Sequence, residues 1–456
     1  RLPSLGNNWG PRASLAIGNA ESRWPVLRLG YGLYYGRTEN ATLETALTQT
    51  GSSKGDLSFF MRPSDDCQYC AGGSPPFPYV FAGEPANVVK PGAVEFAPSF
   101  RNPEVHQAVA SLEEALPGHA LVTAAALLSL GRRLPVSIDT NFNPAVNPGT
   151  ITYGVVDGTG LGPIKSSQIT VPFYASWPTP TGIEGRLNPD YQQISEIVSR
   201  ANSTYEAAMV KIDRYGRRGL SLHAHYTYAH AMDWNPNETT LVAGSDVLDP
   251  GDFSREYGTS NLDVRHSAAA MVIYEAPWKL HNFVGHIANG WMLSGIGQFR
   301  SGLPFTMRTS GSLAEEFDQT TGAAIAGLGP GMNGSGGDNR VYGLGGDGRS
   351  YNIGRNTFRY PRAWKADLRF ARRFDLGHMR ELELLAESFN LFNHQNVTEL
   401  ETTGYYLEPG SLTSFPTLNF LTGLKPNTTA FGQPLSINAS DFYRERQIEF
   451  GLRFRF

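Results

Sequence analysis

The chain has 456 residues and a formal net charge of -4, a balance that excludes a protein built to neutralise nucleic-acid phosphates. Only 18% of residues are charged, against 50 Gly, 30 Pro, 25 Phe and 20 Tyr, which favours strands and turns and excludes a coiled coil or a disordered tail. The longest apolar run, 120–130, is interrupted by Thr123 and Ser129, so no stretch approaches the ~18 residues of a membrane helix; a membrane β-barrel, whose signal is alternation, stays open.

Taken in chain order, the first elements are a faint alternation over 12–19 and a clear one after it. Leu27, Leu29, Tyr31, Leu33 and Tyr35 share one face, with Arg28, Gly30, Gly32 and Tyr34 opposite. Residues 37–101 then read as a long Gly/Pro-rich loop holding both cysteines, Cys67 and Cys70. A single C-x-x-C pair with Asp65 and Asp66 beside it lacks the second pair of a zinc site. A small loop disulfide facing an oxidising compartment is the preferred reading. Fainter strands run over 105–116 and 120–130, before a second long stretch at 134–189.

Alternation resumes at 206–213, which places Lys211 and Asp213 on a polar face. A tight turn at Gly216-Arg217-Arg218-Gly219 follows. Next, Leu220, Leu222, Ala224, Tyr226 and Tyr228 oppose Ser221, His223, His225 and Thr227. His223 and His225, two apart on one strand face, have a spacing that can chelate a metal; with no further ligand indicated, polar histidines in water are the simpler reading. Strands over 264–274 and 290–300 bring in Arg265. The stretch 309–361 contains Gly336-Gly337-Asp338 and Gly345-Gly346-Asp347, two copies that are too few for a calcium-binding β-helix and read as an external loop.

Trp364, Ala366, Leu368 and Phe370 oppose Lys365, Asp367 and Arg369, and a further strand spans 382–392. In 447–456 every even residue (Ile448, Phe450, Leu452, Phe454, Phe456) is apolar, and every odd one, including Glu449 and Arg453, is polar or glycine. Strand side chains alternate between faces, so this segment has one apolar and one charged side. A soluble sheet also alternates. What favours the membrane is repetition: about a dozen such strands near the ~9–11 residues that cross a bilayer, aromatic residues near strand ends, and connections that alternate short and long. The fold class expected is therefore all-β, a transmembrane antiparallel barrel forming one region over 1–456. Seven Lys against thirty-one Arg suit walls that stay charged while partly desolvated. No catalytic elbow, metal-protease helix or phosphate loop is present, so no enzyme, cofactor or metal is expected.

Several segments resemble the barrel of TonB-dependent outer-membrane receptors, in particular the Oar-like branch of acidobacterial type. They are Pro11-Arg12-Ala13-Ser14-Leu15-Ala16, the 28–35 strand, Ser203-Thr204-Tyr205-Glu206-Ala207, Tyr226-Thr227-Tyr228-Ala229-His230, Glu256-Tyr257-Gly258 and Asp263-Val264-Arg265-His266. Further on come Ser301-Gly302-Leu303-Pro304-Phe305-Thr306, Gly354-Arg355-Asn356, Glu387-Ser388-Phe389-Asn390-Leu391-Phe392-Asn393-His394 and the terminal Phe456. The resemblance implies a bacterial outer-membrane location and energised uptake of an unidentified substrate. It implies as partners membrane lipid, a TonB-type energising protein acting through an N-terminal part, and the barrel assembly machinery, which would read Phe456. It also implies a barrel of about twenty-two strands, of which this chain would be the C-terminal half, with the plug and N-terminal domain absent from it and an open first strand. Nucleic acid is not among the partners.

The lumen-facing candidates are Arg28, Lys211, Asp213, His223, His225, Arg265, Arg369, Glu449 and Arg453. They would serve either as ion-pair ladders between strands or as substrate contacts. A surface-exposed binding or structural protein without transport, and a passive pore, stay open as alternatives; a plug with a TonB-contacting segment upstream would favour import.

Opposite faces of the last strand should tolerate charge differently. Leu452→Arg should cost about 2–4 kcal/mol near the bilayer midplane, and Arg453→Leu much less, read as loss of the folded, heat-modifiable band from outer membranes. Equal tolerance at both positions would overturn the assignment of faces.

Overall fold

The computed structural model describes residues 8–18, 25–52, 92–141, 148–174, 178–179, 182–183, 187–188, 190–191, 193–217, 219–234, 247–249, 252–281, 283–310, 348–377, 380–408, 416–423, 429–440 and 442–456. Cys67, Cys70 and the two Gly-Gly-Asp copies lie outside these residues.

Eleven antiparallel strands follow one another in chain order across a single sheet. They are β1 (Arg12–Ile17), β2 (Val26–Tyr35), β3 (Glu104–Leu116), β4 (Ala120–Asp139), β5 (Gln193–Arg217), β6 (Leu220–Asp233), β7 (His266–Glu275), β8 (Trp291–Arg300), β9 (Ala363–Asp375), β10 (Glu381–Phe389) and β11 (Gln447–Arg455). Two short strands, Gly92–Phe96 on β5 and Gly258–Thr259 on β6, add to its margin. Among the described residues β1 pairs only with β2, and β11 only with β10.

The register keeps two faces separate across the whole sheet. Leu29 stands opposite Leu15 and Ala110, Val210 opposite Ala124 and Tyr226, and Leu452 opposite Leu384. The other face carries the charges: Lys211 stands opposite His225, Asp213 opposite His223, and Glu383 between Arg373 and Arg453. Because side chains alternate with period two, a slip of one residue in any pair would put charge among the apolar side chains. The apolar face is open rather than packed. Phe450 is 83% exposed and Leu452 68%, with Leu29, Leu112, Val210 and Phe370 also exposed. An apolar surface this continuous requires a hydrocarbon surround.

Connections alternate strictly in character. On one side they run over 36–103, 140–192, 234–265, 301–362 and 390–446; on the other over 18–25, 117–119, 218–219, 276–290 and 376–380. Sequence reading identified three of the five long ones and treated them as loops, whereas the structure folds much of them. Strand β4 continues past Leu130 to Asp139 through a register shift opposite β5, where Arg133 takes φ 56°; such a bulge re-aims the strand as it leaves the wall. Segments from three different long connections then assemble a second sheet, in the order Arg308–Ser310, Thr403–Glu408, Thr417–Phe420, Pro148–Val156, Gln168–Tyr174.

Among the described residues, all three hydrophobic cores involve this long-connection side. The largest gathers Tyr153, Val171, Met307, Tyr405, Leu407 and Leu418, all fully buried. A second packs Phe96, Phe100 and Ile197 against Leu43 and Ala46 of helix α1 (Asn40–Thr48). The third joins Val136 and Ile138 of the β4 extension to Val247 and Phe253. The wall is thus solvated by lipid, while the connections above it form a globular layer stabilised in the usual way by burial.

Truncating Leu407→Ala should remove about 2–5 kcal/mol from that layer and leave the wall intact. Limited proteolysis should then cut within 390–446 while the heat-modifiable band persists; loss of both together would mean that wall and layer fold as one unit.

Candidate functional site

The candidate site is the space between the charged face of the wall and the folded connections. Its floor is built by cross-strand register. On β9–β11 the Glu383 carboxylate, almost fully buried, lies 3.4 Å from Arg373, 3.7 Å from Arg369 and 3.2 Å from Arg453. Glu387 takes Arg369 at 3.5 Å, and Arg455 reaches Glu381 at 3.5 Å. Three guanidiniums around one buried carboxylate satisfy it and tie three strands together. Glu449 stands opposite Glu387 on the same face. On β5–β6, buried Asp213 lies 2.8 Å from Lys211 and 2.9 Å from His223. Arg28 faces the same way opposite Ser111.

One sequence candidate is placed elsewhere. Arg265 precedes β7, and its guanidinium reaches Asp263 at 3.5 Å in a cluster at the rim. The physical reason is the burial of Asp263. Its oxygens accept the Ala231 backbone N–H at 2.6 Å, a His230 ring nitrogen lies 3.1 Å away, and Arg359 pairs with it. Burial alone would raise the Asp263 pKa, but the Ala231 N–H, Arg359 and His230 outweigh it and hold the carboxyl below its ordinary value.

Sequence reading missed the rest of this rim as a site. Glu256 is fully buried; its carboxylate accepts the Leu248 N–H at 2.6 Å and pairs with Arg349 at 2.8 Å. Arg355 pairs with Asp233 and also donates to the Glu256 carbonyl at 3.2 Å. Asn356, at φ 55°, donates from its amide to the Thr259 carbonyl at 2.7 Å, while its backbone N–H donates to Thr306 at 3.0 Å. Asn390 closes the loop after β10, accepting the His394 N–H at 2.9 Å and donating to the Arg444 carbonyl at 2.9 Å. The usable signal was present: Glu256, Asp263, Arg355, Asn356 and Asn390 all sit inside the short segments that carry the family resemblance. The segments of Glu256 and of Arg355 and Asn356 lie about a hundred residues apart and meet only in three dimensions.

Elsewhere on this face, the wall and the connections together line a cavity of about 830 Å³, within the range of ligand pockets. His225, Ser267, Gln298 and Arg300 line it from the wall, with Tyr360 and Tyr443 among the residues facing them from the connections. The Arg300 guanidinium lies over the Tyr443 ring at 5.5 Å, and the Lys365 ammonium over Phe442 at 4.2 Å. His225 is therefore a cavity residue, whereas His223 is committed to Asp213. Among the described residues no cluster of three or more metal-ligating side chains occurs. The arrangement can hold a polar ligand through donors and aromatic faces; it contains no evident nucleophile and base pair.

The depressed Asp263 carboxyl sets a pH dependence. Its contribution is fully present above the ordinary carboxylate range near 4 and is lost as pH falls through its lowered value. Proteolytic protection of 252–265 should therefore persist to below about pH 4 and then fail, and Asp263→Asn should abolish this step. Loss of protection in the parent protein already at neutral pH would contradict it.

Several solved structures are similar in trace. P. aeruginosa FpvA bound to heterologous pyoverdines shares 8% identity at a TM-score of 0.41, over 97% of this chain and 32% of that one. The outer-membrane transporter YddB from Escherichia coli shares 7% at 0.39, over 87% and 37%. The unliganded ferric citrate transporter FecA shares 8% at 0.37, over 98% and 38%. The chain spans about a third of the length of these structures. No curated protein matches the sequence. Residues 3–449 match the outer membrane beta barrel domain. With its two-faced antiparallel wall, the chain belongs to that family of bacterial outer-membrane barrels.

Proposed function

We propose that the chain forms part of the barrel of an outer-membrane receptor that takes up an unidentified substrate, energised through a TonB-type partner. The observation that carries this reading is the folding of the long connections into an ordered layer, with segments of them lining a cavity on the charged face of the wall. A passive pore needs an unobstructed lumen, whereas a receptor needs an ordered outer surface and a way to open it. The ordered motifs of the TonB-dependent, Oar-like type support the same reading. The long connections then face the cell exterior and the short ones the periplasm.

The open ends of the wall fit a larger barrel. Strands β1 and β11 run in the same direction, since an even number of antiparallel steps separates them. An all-antiparallel closure therefore requires an odd number of further strands, and an exposed edge cannot face lipid. A second copy of the eleven-stranded wall would bring parallel edges together at both seams. We read the remaining strands as belonging to other polypeptide of the same receptor, together with the plug and the segment that contacts the energising protein. On this reading Arg28, Lys211, Asp213, His223, His225, Arg369, Glu449 and Arg453 face the lumen, with Arg265 at its rim. Phe456 is the signal read by the assembly machinery, and Cys67 and Cys70 form a disulfide in an external loop.

The surface-binding alternative draws on the same folded layer, so the experiment must separate uptake from display. The natural full-length protein, reconstituted in planar bilayers, should show no steady conductance and should bind the soluble periplasmic domain of TonB saturably. A constant open conductance would favour a passive pore, and a silent protein with no affinity for TonB would favour surface binding alone.

A further inference from the structure

The connection 276–290 departs from its side of the sheet. Its neighbours there, 117–119, 218–219 and 376–380, are tight turns, whereas 276–290 builds a helix, α2 (Phe283–Ala288). The segment is closed on itself. The Asn289 side chain accepts the Leu280 N–H at 3.1 Å and donates to the Leu280 carbonyl at 2.8 Å, and Ala276 donates to the Trp291 carbonyl at 2.9 Å. Gly285 is buried where a Cβ would collide with the Leu280 carbonyl oxygen, and Gly290 takes φ +79° to enter β8. Such construction is unnecessary for simply reversing the chain.

What the construction displays is apolar. Phe283 is 79% exposed, Val284 55% and Ile287 58%, with Trp278 and Leu280 also exposed. The helix is fastened to the lipid-facing side of the wall, because the Trp291 indole N–H donates to the Ile287 carbonyl at 2.8 Å, and Trp291 stacks on Phe370, 4.6 Å between ring centroids. Trp291 and Phe370 are register neighbours in the apolar set with Leu293. The exposed helix side chains therefore continue the membrane face of the barrel at its lower margin. Cations accompany them. Arg372, on the same apolar face opposite Trp291, lies over the Trp291 ring at 5.0 Å and over Phe374 at 4.2 Å, and Lys279 is exposed in the segment itself.

We infer that 276–290 is an interfacial anchor that seats α2 in the periplasmic leaflet, with Phe283, Val284 and Ile287 among the upper acyl carbons and Lys279 and Arg372 on the headgroups of anionic phospholipid. Apolar side chains on one side of a helix and basic ones beside them are what hold a helix in a bilayer interface, and basic residues at the surface select anionic lipid. The orientation rests on the reading that short connections face the periplasm. The anchor fixes the depth of the wall between β7 and β8, beneath the cavity that these strands help to line.

The test uses the natural full-length protein in phosphatidylcholine vesicles containing phosphatidylglycerol, with Cys67→Ser and Cys70→Ser as background and heat-modifiability to verify folding. Nitroxides placed through Phe283→Cys and Ile287→Cys should collide with oxygen in preference to a nickel chelate. A label at Leu293→Cys serves as the wall reference and one at Leu161→Cys as the water reference. In the unlabelled protein, the emission lost on Trp278→Phe identifies the Trp278 signal. Brominated phosphatidylglycerol should quench that signal more than an equal fraction of brominated phosphatidylcholine, and Lys279→Gln should reduce the difference. Labels at 283 and 287 as open to nickel as the one at 161, with 293 still lipid-exposed, would overturn the anchor while leaving the membrane wall standing. Nickel access at 293 as well would overturn the membrane reading itself. Equal quenching by the two brominated lipids would overturn the preference for anionic phospholipid.

Discussion

The structure depends on one constraint: inside hydrocarbon every backbone N–H and carbonyl must be paired within the protein. An antiparallel ladder meets it, and the ladder in turn forces alternate side chains onto opposite faces. Eleven strands in consecutive order carry that alternation from Leu15 to Phe454 without exchanging faces. The wall therefore needs no interior of its own. Its apolar side chains are exposed to lipid, and its charged side chains are collected where only each other and water can satisfy them.

Collected charge must then be arranged. Glu383 is held by Arg373 and Arg453, directly opposite it on neighbouring strands, and by Arg369, which reaches it from the position opposite Glu387. An isolated buried carboxylate would be costly, whereas one shared by three guanidiniums ties three strands at a single level. The rim uses the same device with a different geometry. Glu256 and Asp263 are buried where connections cross the top of the wall, and Arg349, Arg355 and Arg359 arrive from a segment about a hundred residues later in the chain. These contacts hold long connections in place over the cavity. They account for a layer with its own sheet and cores in stretches whose composition suggested loops.

The functional reading follows from that division of labour. The two-faced wall sets the protein in the outer membrane, and on the proposed function the folded layer is where substrate meets the receptor. The cavity between them offers Arg300, His225, amides and aromatic rings, a surface suited to a polar ligand. The helix within 276–290 belongs to the opposite margin, where it would hold the wall at a defined depth.

By itself the sequence determined the parts that local physics controls. The period-two pattern in 27–35, 206–213, 220–228, 364–370 and 447–456 sets strand identity and face, because a pleated strand admits no other arrangement of its side chains. It thereby placed Arg28, Lys211, Asp213, His223, His225, Arg369, Glu449 and Arg453 together on one face. Only the tertiary structure decided what depends on meetings between distant segments. That Arg265 turns to Asp263, that Glu256 finds Arg349, and that Tyr153, Met307 and Tyr405 share a core are facts about three or more connections at once. Connection residues carry no periodic pattern, since their partners lie at irregular distances along the chain. Their burial is set by which strands the wall has already brought side by side.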